Sequence, residues 1–242
     1  MYPRRRRVRQ SLRLGLLVTL AVLALSACGG GGAARGDGGA GGGGAEAEKQ
    51  QAKTRKFPDY GELPPGKYVT GNFEPAFSFR VVGKGWVVTE GSEPTLVEMS
   101  QGVAGPILAF LSAERVFNPN KVRELDSMPA PDDMVAWLEQ HPYLRTGDPQ
   151  AAAVGGVEGV RLDAVVASVP PTECGGNCLG LFTVGDRSYD WGAFEKEKLR
   201  FVVLENVGGE RVTIVVEAPA EDFEEFLPKA QEVMDTVEWK GA

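Results

Sequence analysis

From about residue 57 onward, apolar and polar residues alternate in short runs. Phe77, Phe79 and Val81 alternate with Ser78 and Arg80, and Val160, Leu162 and Ala164 alternate with Arg161 and Asp163. Period two sends one side of a strand into a core and the other toward solvent. Tyr68–Phe73, Trp86–Val88, Thr95–Ser100, Leu179–Val184, Arg200–Val207, Arg211–Glu217 and Val237–Trp239 read as further strands, and Ile107–Leu111, apolar throughout, reads as a central one. Gly83-Lys84-Gly85 and Gly208-Gly209 are hairpin signals between such runs.

Two stretches break the alternation. After Pro131, which suits a first helical position, Met134, Trp137, Leu138 and His141 fall at helical spacing, and Pro142 ends the run. Near the C-terminus Phe223, Phe226, Leu227, Ala230, Val233 and Met234 form one apolar stripe behind the acidic run Glu221–Glu225, with Pro228 expected to kink it or split it in two. The pattern predicts about eight strands and two main helices. With no βαβ alternation, the expected fold class is α+β, a curved, mostly antiparallel β-sheet with two main helices packed on it.

The N-terminal quarter has a different texture. Six arginines, Arg4 to Arg7 with Arg9 and Arg13, precede a 12-residue run from Leu14 to Leu25. A bilayer-spanning helix needs roughly 20 apolar residues, so the run reads as a cleaved signal. It closes on Leu25-Ser26-Ala27-Cys28. This order of basic head, short apolar core and closing box resembles a bacterial lipobox. The resemblance implies acylation of Cys28 with diacylglycerol and palmitate-like chains, and a place on the extracytoplasmic face of the cell membrane. Of the next 16 residues, 29–44, 11 are glycine, a composition expected to behave as a flexible tether. The expected organisation is a signal peptide over 1–27, the acylated cysteine and tether over 28–56, and a single domain over 57–242.

Charge narrows the partners. Loss of the signal removes six arginines and no acid, leaving 20 Lys+Arg against 33 Asp+Glu, a net charge of −13. Such a chain repels nucleic-acid phosphates. On composition alone it is also unsuited to lie on an anionic bilayer, so the expected contact with lipid is through acylated Cys28.

Few residues suggest chemistry. With Cys28 assigned to lipid, Cys174 and Cys178 remain and are expected to pair in an oxidising compartment, tying a five-residue loop. Three residues separate them, which departs from the thioredoxin spacing. His141, the single histidine, is expected to serve the end of its helix or its packing. Neither Gly-x-Ser-x-Gly nor His-Glu-x-x-His occurs, so no catalytic residue, metal set or cofactor is assigned and an enzyme is disfavoured. Tyr189, Trp191 and Phe194, in a charged stretch read as a loop, are candidates for a surface that stacks on a ligand or partner. Trp86, Trp137 and Trp239 are assigned to the core.

Four segments carry a wider resemblance: Val154-Gly155-Gly156-Val157, Arg161-Leu162-Asp163, the Arg200–Leu204 strand, and Asp235-Thr236-Val237-Glu238-Trp239. Over about residues 68–239 the chain resembles a broad group of bacterial lipoproteins, and its ending and strand order are similar to the PsbP/Mog1-like sandwich. That implies a fold and no catalytic residues. The functional expectation is a membrane-anchored binding or accessory module of the envelope. Its ligand would be an unidentified envelope protein, glycan or small molecule, and the alternative is an envelope hydrolase or thiol-redox enzyme.

Overall fold

In the computed structural model, the strand Glu197–Val207 sends Leu199, Phe201 and Val203 into one hydrophobic core and Val202 and Leu204 into another. The fold is organised by this central sheet buried on both faces. The structure describes residues 54–120, 126–170, 178–184 and 189–241, all within one compact unit, Gln51–Ala242. The signal, Cys28, nearly all of the tether, and Cys174 lie outside the described residues.

In chain order the strands are β1 (Arg55–Lys56), β2 (Gly61–Glu62), β3 (Gly66–Val69), β4 (Phe77–Val81), β5 (Trp86–Glu93), β6 (Leu96–Gln101) and β7 (Ile107–Leu111). Then follow β8 (Arg115–Phe117), β9 (Ser127–Pro129), helix α1 (Met134–Glu139), β10 (Leu144–Thr146), β11 (Gln150–Val154) and β12 (Val157–Val166). The chain closes with β13 (Cys178–Val184), β14 (Tyr189–Phe194), β15 (Glu197–Val207), β16 (Glu210–Pro219), helix α2 (Phe223–Met234) and β17 (Glu238–Trp239).

The central sheet runs β10-β12-β15-β16-β7-β6-β5-β2, with β11 paired to β12, and is antiparallel throughout. One face is covered by a small sheet, β1-β3-β4-β17, together with α2; the other by a second small sheet, β14-β13-β8-β9, with α1. In the first core Trp86, Met99, Phe110 and Ile214 of the central sheet meet Phe77, Phe79 and Phe226. In the second, Leu96, Leu111 and Phe201 meet Val116, Leu181, Phe182 and Leu138. Two-sided burial explains the unbroken apolar run of β7, whose Leu108 and Phe110 enter the first core while Ala109 and Leu111 enter the second.

This corrects the expected α+β fold of PsbP/Mog1-like type. Among the described residues the protein is mostly β, in three sheets, and the two helices have only 6 and 12 residues. The covering layers expected to be helical are largely strands: segments read as strands, such as Phe77–Val81, Leu179–Val184 and Val237–Trp239, join β1, β8 and β9, which are too short to display a period. The helix expected over about ten residues from Pro131 begins later, because Asp133 is its cap: the Asp133 Oδ1 accepts the Ala136 N–H at 2.8 Å. Pro228 leaves α2 a single helix; at its sixth position it costs one backbone bond, while Phe223, Phe226, Ala230, Val233 and Met234 are buried.

The turns divide. Gly208 and Gly209, at φ 64° and 100°, close the expected β15–β16 hairpin. Gly83 and Gly85, at φ 80° and 87°, do not close one: β4 pairs with β3 and β17, and β5 with β6 and β2. Positive φ at glycine lets the chain turn a corner between sheets as readily as reverse within one. Trp86 is buried, and Trp137 and Trp239 pack half-buried against the two cores.

Candidate functional site

The central sheet is left uncovered on one flank, where β10, β12 and β15 run past the first turn of α2. Alternation on β12 buries Leu162, Ala164 and Val166 and turns Arg161, Asp163 and Val165 to the open face. On β15 it turns Lys198 and Arg200 to the same face, with Asp163 directly opposite Arg200. The Arg200 Nε and Nη2 donate to Asp163 Oδ1 and Oδ2 at 2.6 and 2.8 Å, a two-point fork. That bond, ahead of the opposing effect of burial, raises the Arg200 pKa further above its ordinary value. Lys198 Nζ donates to Glu224 Oε1 at 2.9 Å and lies 5.7 Å from the Phe223 ring centroid. On the neighbouring pair, Arg161 donates through Nε and Nη2 to Gln150 Oε1.

Beside α2 these groups edge an open groove of about 310 Å³, lined among others by Arg145, Thr146, Asp163, Lys198, Phe223 and Glu224. A smaller groove of about 140 Å³ lies between the β6–β7 turn and α2, against Gln101, Pro106, Asp222, Phe226 and Lys229. The larger one sets the cations Arg145 and Lys198 among the carboxylates Asp163 and Glu224, over the β12 and β15 backbone at Ala164 and Leu199 and beside Val165. Such a lining suits a ligand rich in both donors and acceptors, such as a glycan or an extended peptide. Sequence reading left these residues unassigned, although the signal is present: charges at every second position, Arg161 with Asp163 and Lys198 with Arg200, on strands that prove to be neighbours.

The residues singled out from sequence do not converge. Trp191 is 3% exposed, in the second core, with its ring 5.8 Å from that of Phe182. It cannot stack on a ligand, and the stretch read as a loop is strand β14. Phe194 is half-buried; Tyr189 begins the same strand, and its side chain lies outside what is described. Cys178 opens β13 and is not free, while its expected partner Cys174 is outside the described residues. His141 follows the C-cap of α1 and is 3% exposed between Trp137 and Tyr143, with ring centroids at 5.0 and 6.0 Å. Its Nδ1 accepts the Tyr143 N–H at 3.4 Å. Burial lowers its pKa to about 4, so at neutral pH it is an uncharged packing residue and not a cation on a helix dipole. Among the described residues, no group of three or more His, Cys, Asp or Glu is placed to hold a metal, and no helix is long and apolar enough to cross a membrane.

No family model and no curated protein matches the chain. Among solved structures it is similar to LpqN of Mycobacterium tuberculosis, described as involved in cell envelope biogenesis, at 14% identity over 75% of this chain and 80% of that one. The TM-score is 0.27, too low to carry either fold or function across.

Proposed function

We propose that the protein is a lipid-anchored binding module of the bacterial envelope, held at the extracytoplasmic face of the membrane through acylated Cys28. The observation that carries the binding role is the charge-lined groove beside α2. It is open and is built on β10, β12 and β15 of the central sheet beside the first turn of α2. The anchor rests on the residues 1–28 and their resemblance to a lipobox. Cys174 and Cys178 complete the proposal as a disulfide that ties the segment entering β13, a structural and not a redox pair.

The groove is tested by titrating envelope glycan, peptide and lipid fractions into isotope-labelled mature protein. Amide shifts are expected to concentrate at Thr146, Ala164 and Leu199, and perturbations confined to other surfaces would overturn the assignment. For the anchor, Cys28→Ser should move the protein from the membrane to the soluble fraction, and retention on the membrane would sink the lipoprotein reading. The unreduced mature chain should show no titratable thiol.

A further inference from the structure

The outer face of the small sheet β1-β3-β4-β17 carries a charge opposite to that of the whole chain. Tyr68 and Phe79, which pair across β3 and β4, point into the first core. Alternation therefore turns the next pair, Lys67 and Arg80, outward together. Exposed Lys56 on β1, opposite Val69, and Lys84 in the β4–β5 corner extend this positive region, while Arg55, opposite Tyr68, takes the inner side of the sheet, where its Nη1 donates to the Tyr68 hydroxyl at 3.3 Å. Glu238 on this face is engaged: Lys67 Nζ donates to its Oε2 at 2.5 Å and Ser78 Oγ at 3.1 Å. Four cations, Lys56, Lys67, Arg80 and Lys84, cluster here on a chain whose net charge without residues 1–27 is −13.

Two further observations point the same way. The cluster ends in exposed apolar tips: Val82 is 53% and Val103 80% exposed. Their loops are joined by the Gly102 N–H donating to the Gly85 carbonyl at 2.8 Å. The third observation is where the N-terminal segment meets the domain. β1 is parallel to β3, with Arg55 opposite Tyr68, and β3 begins with Gly66 opposite Val81. Thr54 therefore enters beside Lys67 and Arg80, at the same end of the sheet as Val82. Residues 29–53 separate it from Cys28, and a Gly-rich coil of that length has a reach of about 25–30 Å, comparable to the roughly 33 Å length of a ten-residue strand such as β16.

We propose that this face is a membrane-docking surface: Lys56, Lys67, Arg80 and Lys84 rest on the headgroups of an anionic bilayer, with Val82 and Val103 dipping into its interface. The inference rests on the Cys28 anchor, which supplies proximity, while the basic face supplies orientation. Juxtamembrane cations gain from the negative surface potential of such a leaflet, and the gain decays within a Debye length.

The test uses the full lipidated chain in vesicles of phosphatidylcholine with phosphatidylglycerol, carrying brominated lipid as a quencher. Val82→Trp is compared with Glu114→Trp, a control beside β8 in the opposite layer. Quenching at Val82→Trp should exceed that at Glu114→Trp by about threefold or more, and half-molar salt or the added changes Arg80→Glu and Lys84→Glu should abolish the excess. A chain that floats with the vesicles yet shows equal quenching at both positions keeps the anchor and overturns the docked face. A chain that does not float overturns the anchor, and this inference with it.

Discussion

Acidification from pH 6.5 to 4 should destabilise the fold by about 3 kcal/mol through His141 alone. The imidazole is buried and its pKa is lowered to about 4, against 6.5 for a solvated histidine. Between those values the unfolded chain holds a proton that the folded chain lacks. The histidine term therefore raises stability as pH rises through this window and is flat above it. Because the chain contains one histidine, its ring proton resonance is unambiguous and should titrate with a midpoint near 4. His141→Phe keeps an aromatic ring beside Trp137 and Tyr143 and should remove the slope between pH 4 and 6.5, leaving the carboxylate limb below. A midpoint near 6.5 in the wild type, or an unchanged slope in the variant, would refute the burial argument. The lone proton acceptor of the imidazole that is seen in use, Nδ1, takes only a long bond from Tyr143, so packing is what the residue mainly contributes.

The second large effect is expected at Phe77. Its ring is fully buried, with centroids 4.6 Å from Phe110 on the central sheet, 5.0 Å from Trp239 on β17, and 5.5 and 5.6 Å from Phe73 and Phe79. It thus joins the small sheet to the central one and holds the last strand against both. Phe77→Ala should cost about 3–5 kcal/mol, because the removed ring leaves a cavity between two sheets that cannot close independently. Denaturant midpoints measure this, and the Trp239 emission should shift to the red as β17 loosens. The Trp239 Nε1–H now donates to the Val154 carbonyl at 2.9 Å, so release of the indole also undoes a bond to the β11–β12 turn. A loss under about 1 kcal/mol would show that the small sheet is held by its other contacts.

The legible part of this fold is its local period. β4, β7, β12, β15 and β16 were all apparent as apolar or alternating runs, as was the stripe of α2, because each is long enough for its period to repeat. β1, β2, β8 and β9 have two or three residues each, and no period exists in so short a segment. The α+β expectation failed there: once β1, β8 and β9 join strands legible in the sequence, such as β4 and β13, the layers over the central sheet are two further sheets and not mainly helices. Trp191 failed for a related reason. Its neighbours are charged, and a charged stretch reads as surface, yet on β14 the indole takes the inward side against Phe182 and Phe201. The candidate groove was hidden because its ion pairs join positions 37 and 26 residues apart, and only strand register makes Asp163 and Arg200 neighbours.

Address and chemistry separate along the same line. The reading of residues 1–28 as an export and acylation signal rests on their linear order of charge, apolar run and cysteine, and uses no tertiary contact. The strand faces follow from alternation, which is a property of neighbours along the chain. Which strands pair, and therefore which side chains share a face, depends on contacts between distant segments that periodicity does not encode. Net charge shows the difference most clearly. A total of −13 argued against an anionic surface, because composition averages over the whole molecule. Folding turns Lys67 and Arg80 outward together on one sheet face, with Lys56 and Lys84 beside them, and a bilayer responds to the charge within a Debye length and not to the sum.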